Sequence, residues 1–89
     1  MSAFLIPSPA AFPFTSFRAM VAEAQMRLVD FFREQSEQGS TVASEAYSSL
    51  MASNQKRKGA RMVAEVTGAP AHVAALVFID DWNAYHAAR

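Results

Sequence analysis

The sequence predicts an all-α fold: a three-helix bundle, or four helices if its middle segment is broken, behind an extended Pro/Phe-rich N-terminal arm. Three observations predict it. Apolar residues recur at helical spacing from residue 16 onward, Gly39, Gly68 and Pro70 fall near the ends of those stretches, and three of the four prolines precede residue 16. The chain therefore divides into an apolar arm, 1–15, and one helical domain, 16–89.

The arm, MSAFLIPSPAAFPFT, alternates proline with Phe4, Leu5, Ile6, Phe12 and Phe14. Each proline fixes φ and biases the residue before it away from helix, so the segment reads as extended. So apolar an arm needs a surface to lie on, either its own helices or a partner.

The first helix is expected over 16–38. Phe17, Met20, Val21, Ala24, Leu28, Phe31 and Phe32 fall at offsets 0, 3, 4, 7, 11, 14 and 15, which is one helix face. The opposite face carries Glu23, Arg27, Asp30, Arg33, Glu34 and Glu37, with two i,i+4 pairs of opposite charge. Thr15 or Ser16 can cap its start, and Gly39 can end it through a left-handed residue.

The middle segment is expected as a helix over 41–67. Val42, Ala46 and Leu50, with Tyr47 and Met51, make one apolar patch, and Met62, Val63 and Val66 make another. Between them SNQKRKG lacks a large apolar residue for a full turn, and a glycine inside a helix costs roughly 1 kcal/mol against alanine. A long helix kinked or frayed near 54–59 is the expectation, with two helices and a short break as the alternative. The last helix, 70–88, has Pro70 at its first turn and is apolar around much of its circumference, as a central helix is. Phe78, Trp82 and Tyr85 form a ridge along it, at the offsets 0, 4 and 7.

Composition excludes several function classes. At 89 residues, 52% hydrophobic and 18% charged, the chain has room for one small domain and is too apolar for wholesale disorder. A formal net charge of zero offers no global field to draw a polyanion and favours self-association. No cysteine is present, which removes disulfides and thiolate metal sites and fits a reducing compartment, so a cytoplasmic location is expected. Pro7, Pro9 and Pro13 interrupt the apolar N-terminus as a signal peptide, and the uncharged run 66–79 is shorter than the roughly 20 residues of a transmembrane helix.

Chemistry-bearing residues are sparse. Ser48, Ser49 and Ser53 lie on a different element from His72 and His86, with no nucleophile elbow, and adjacent Asp80 and Asp81 point about 100° apart on a helix. No histidine has a second ligand at i,i+3 or i,i+4, so neither a metal site nor a cofactor is expected, and His72 is expected to be a partly buried, hydrogen-bonded residue. Gly39, Gly59 and Gly68 are too scattered to cradle a phosphate. The chain is not expected to be an enzyme. Lys56, Arg57, Lys58 and Arg61 place four of the eight positive charges within six residues. This basic patch could attract a phosphate or an acidic surface, although no interleaved aromatics mark it as a nucleic-acid reader.

The remaining signal is surplus hydrophobicity. The arm and the Phe78, Trp82, Tyr85 ridge hold more apolar surface than so small a core can readily hide. The first helix AMVAEAQMRLVDFF, and the turn and helix restart in EVTGAPAHVAALVFIDDW, resemble those of phasins, the small helical proteins that coat polyhydroxyalkanoate granules. The resemblance covers about two thirds of the chain and implies an amphipathic, self-associating coat protein on a hydrophobic granule. The expected function is a non-enzymatic helical interaction or scaffold protein. It would self-associate, or bind an apolar partner surface, through Phe4, Leu5, Ile6, Phe12, Phe14, Phe78, Trp82 and Tyr85. The alternative is a small regulatory binder acting on a protein or nucleic acid through Lys56, Arg57, Lys58 and Arg61.

Overall fold

The computed structural model describes residues 16–89. The arm, with Phe4, Leu5, Ile6, Phe12 and Phe14, lies outside the described residues. Within them all regular structure is helical: α1 (Phe17–Glu37), α2 (Val42–Ala52), α3 (Lys56–Thr67) and α4 (Ala71–Ala87).

Local chemistry accounts for the helix ends. Ser16 has extended backbone and its Oγ accepts the Ala19 amide at 3.1 Å, supplying one of the missing N-terminal partners of α1. Gly39 takes φ 83° at the other end, and the Ser40 amide reaches back to the Gln35 carbonyl at 2.9 Å, closing a Schellman turn.

The middle segment, expected as a long helix kinked or frayed near 54–59 with two helices and a short break as the alternative, is two helices. Asn54 adopts φ 60°, and the Gln55 amide donates to the Leu50 carbonyl at 2.9 Å, the same six-residue closure that ends α1. Asparagine tolerates the left-handed region better than other non-glycine residues, so the break sits at Asn54. Gly59, which looks like a weak point in the sequence, lies inside α3 and is buried there. A Cβ at this position would overlap the Phe78 ring. The glycine is a packing requirement that lets α3 and α4 approach closely.

α4 is the central element, as its composition predicts. Val73, Ala74, Val77 and Phe78 are buried on it, and Gly59, Val63 and Thr67 are buried on the facing α3. Thr67 needs no water: its hydroxyl donates to the Val63 carbonyl at 2.6 Å and accepts the Ala69 amide at 3.2 Å. α1 adds Ala24 and Leu28 to the same core. Arg27, paired with Glu23 at 3.0 Å, also donates to the Thr67 carbonyl at 3.4 Å, tying α1 to the α3–α4 corner.

α1 and α4 run side by side in the same direction. Phe17 stacks on His72 with ring centroids 5.3 Å apart, and Gln25 Nε2 donates to Asp80 at 3.5 Å. Both pairs have a sequence offset of 55. α2 closes the far end of this pair through Tyr47, whose ring lies 5.3 Å from Phe32 and edge-on to Phe78 at 5.5 Å. That wedge sets the rotation of α2: Tyr47 and Met51 are buried, whereas Val42, expected to face inward, is 72% exposed.

Among the described residues no single helix is long and apolar enough to cross a membrane. α3 and α4 together have the length and composition, but they are bent by 116° at the intervening break.

Candidate functional site

The surface feature that the helices build is a groove of about 430 Å³ where the C-terminal halves of α1 and α4 meet α2. α1 contributes Leu28, Val29 and Phe32; α2 contributes Ser44, Tyr47, Ser48 and Met51; α4 contributes Asp81, Ala84 and Tyr85. A second depression of about 250 Å³, lined by Gln25, Met26, Val29 and Asp30, lies next to it along α1 and shares Val29.

The apolar surface does not stop at the groove. Met26 and Val29 are each 62% exposed. With Ala19 and Ala22, also exposed, they form a stripe at offsets 0, 3, 7 and 10 along α1. Two large apolar side chains on an exposed helix flank, beside a mostly apolar groove, are what an interaction surface looks like in a small domain.

One polar device lies in the groove. The Tyr47 hydroxyl donates to Asp81 Oδ2 at 2.7 Å. Burial pushes the Asp81 carboxyl above the ordinary carboxylate range, the Tyr47 hydrogen bond pulls it back, and neighbouring Asp80 pushes it up again. Burial, with the Asp81 bond and charge, likewise pushes the Tyr47 phenol up, so it stays a donor. The pair fixes the α2–α4 spacing and leaves one carboxylate on an otherwise mostly apolar wall.

The sequence-predicted ridge divides. Phe78 is fully buried under Tyr47 and over Gly59, so it is a core residue and presents nothing to a partner. Placing it on an interaction ridge is corrected by its position on the α3-facing side of α4, where the missing glycine side chain leaves room for its ring. Trp82 and Tyr85 are half-buried. The Trp82 indole lies between Lys56, whose ammonium is 4.3 Å from the ring centroid, and His86, whose ring is 4.2 Å away. Its Nε1 is buried with no hydrogen-bond partner among the described residues. Tyr85 borders the groove and carries the Arg89 guanidinium 4.1 Å over its ring.

Lys56, Arg57, Lys58 and Arg61 are all exposed and open α3. Gln55 gives the helix no side-chain cap, and its first turn carries no acidic residue. Among the described residues none of the four cations has an ion pair; Lys56 rests on Trp82 instead. Three of them stand in the first turn, at the positive end of the helix dipole, an arrangement that costs a few tenths of a kcal/mol or more per charge, roughly.

His72 differs from expectation. His72 is exposed and stacked on Phe17 rather than partly buried in a hydrogen bond, whereas His86 Nε2 lies 3.1 Å from the Met51 carbonyl. Among the described residues no three His, Asp or Glu side chains are grouped so as to hold a metal ion.

Met26 and Val29 are absent from the sequence-predicted site. Their signal was available: α1 is apolar at a second helical register, 19, 22, 26 and 29, besides the register that builds the core. The stronger inner register masks it. Comparison with known proteins finds no family model, no curated protein and no solved structure that matches the chain.

Proposed function

We propose that this chain is a non-enzymatic helical interaction module that associates with a second copy of itself by burying the Met26–Val29 flank of α1 and the groove beside it. The observation that carries this reading is the 62% exposure of both Met26 and Val29 on a helix whose other side is core. A formal net charge of zero removes the global repulsion that would otherwise oppose pairing of identical chains. The driving term is burial. Withdrawing about 800 Å² of surface per partner at about 25 cal/mol per Å² gives a gross term near 20 kcal/mol, which association entropy and desolvation reduce to a small surplus. The coat role implied by the phasin resemblance would use the same surface against a granule.

The test is solution mass across a dilution series, for the unaltered chain and for Val29→Glu. Concentration-dependent association that is indifferent to salt and lost in Val29→Glu supports the reading. A strictly monomeric unaltered chain ends it.

A second reading is favoured by the unpaired cations at the start of α3. It makes the chain a small regulatory binder of a phosphate-bearing or acidic partner through Lys56, Arg57, Lys58 and Arg61. Binding of this kind weakens steeply as salt rises and is lost in Lys56→Glu with Arg57→Glu.

A further inference from the structure

The groove between α1, α2 and α4 has a one-sided chemistry. Its polar side chains, Ser44, Tyr47, Ser48, Asp81 and Tyr85, all end in oxygen, and among the described residues lining it none is cationic. The α1 wall, Leu28, Val29 and Phe32, is apolar. Asp81 is thus the one formal charge in the lining, and neighbouring Asp80 reinforces its sign.

Those oxygens are not all engaged. Tyr47 donates to Asp81 Oδ2 at 2.7 Å, and among the described residues nothing donates to Oδ1 or bonds the Ser44 and Ser48 hydroxyls. The two serines are one helical turn apart, on the face of α2 that carries Tyr47 and Met51. A free carboxylate oxygen, acceptor hydroxyls and aromatic rings in one groove suit a compact cation. An ammonium meets that description, with three donors on one atom and an attraction to ring faces. A guanidinium fits less well, because its planar fork matches both oxygens of a carboxylate and Tyr47 already holds one. The Tyr85 ring shows the attraction, with the Arg89 guanidinium 4.1 Å over it. The volume of about 430 Å³ is that of a small-molecule site, which usually spans roughly 300–1,000 Å³. An apolar α1 wall offers nothing to a fully hydrated ion, so the ligand needs a hydrocarbon part as well as a charge.

We propose that this groove binds a small primary alkylammonium, its nitrogen on Asp81 and the Ser44 or Ser48 hydroxyl and its chain along Leu28, Val29 and Phe32. Charge complementarity selects the occupant. An amine gains the carboxylate, an alcohol of the same length gains the wall without the charge, and a carboxylate is repelled by Asp80 and Asp81. The site lies within one copy of the chain, so it stands whether or not copies associate.

The experiment titrates hexylammonium chloride, hexanol and sodium hexanoate into the isotopically labelled full chain near neutral pH and follows its backbone amides by NMR. Hexylammonium is expected to shift Val29, Ser48 and Ala84 saturably, with a Kd on the order of 1 mM for so few atoms. Hexanol should bind at least about tenfold more weakly, and hexanoate more weakly still. Asp81→Asn keeps an acceptor for Tyr47 and should bring amine and alcohol to equal affinity. The proposal is overturned by shifts centred elsewhere, by no saturable binding, by equal affinities in the unaltered chain, or by an amine preference that survives Asp81→Asn.

A second measurement varies pH. Protonating Asp81 removes the charge the amine seeks, and burial places that protonation above the ordinary carboxylate range. Amine affinity should fall as pH is lowered through this window, while hexanol affinity stays level. The other titratable or charged groups at the site are Tyr47 on α2, which burial keeps protonated, and Asp80, Tyr85 and His86 on α4 with Arg89 just beyond it; the α1 side chains that line it carry no charge. The same decline in Asp81→Asn would assign it to Asp80 or His86 and end the role given to Asp81.

Discussion

α4 and α1 are the two long helices, and they spend their apolar residues differently. α4, 17 residues long, buries Val73, Ala74, Val77 and Phe78, and it meets a facing helix that has given up a side chain at Gly59 to receive Phe78. α1, 21 residues long, fully buries only Ala24 and Leu28 and leaves Met26 and Val29 largely in solvent. In a domain this small the core is completed by one face of each helix, so a second apolar register on the same helix has nowhere to go but outward. The comparison separates residues that hold the fold from residues available for binding. Both kinds are apolar, and composition alone ranks them equally.

The largest effect that can break this contrast is at Phe78. Phe78→Ala should cost about 3–5 kcal/mol in urea or thermal unfolding, the usual range for deleting a fully buried phenylalanine. A loss below about 1 kcal/mol would mean that the residue is not core. Next, Gly59→Ala should destabilise by about 1–3 kcal/mol, because overlap with the Phe78 ring outweighs the gain of about 1 kcal/mol in helix propensity. Phe78→Leu in the same background should recover part of that loss, which a double-mutant cycle measures.

Tyr47→Phe comes third, at about 1–2 kcal/mol, since it removes the hydrogen bond to Asp81 and leaves a half-buried carboxylate without that donor. The same site sets a pH dependence. The folded Asp81 carboxyl titrates above its unfolded value, so the folded state holds this proton more tightly. Its contribution is fully present below the ordinary carboxylate range and is lost as pH rises through the raised folded value. Asp81→Asn should abolish that part of the decline, read as urea midpoints on either side of the window.

The smallest stability effect is expected at the other helix. Val29→Glu should change unfolding free energy by within about 0.5 kcal/mol while eliminating association, the opposite profile to Phe78→Ala. Equal losses of stability at both positions would erase the distinction between the two helices.

How far the sequence could be read follows from the range of each interaction. The Ser16 cap, the Gly39 terminus, the core register of α1 and the central role of α4 were legible because each depends on neighbours within a turn or two. The break at Asn54 was signalled, but Gly59 competed for it, and only the approach of Phe78 from a helix 19 residues away tells a packing glycine from a weak one. The groove was not legible at all. It exists because Tyr47 wedges between Phe32 and Phe78 and so sets how α2 sits across the ends of α1 and α4.

By itself the sequence determined that this chain is helical, where α1 starts and stops and where α4 begins, and that it carries more apolar side chains than one small core needs. Tertiary structure decided which of them are surplus. Helix periodicity is a local property with several apolar registers to choose from, whereas burial is assigned by the rotation and approach of helices distant in sequence. That assignment sent Phe78 inward and left Val29 and Met26 outside.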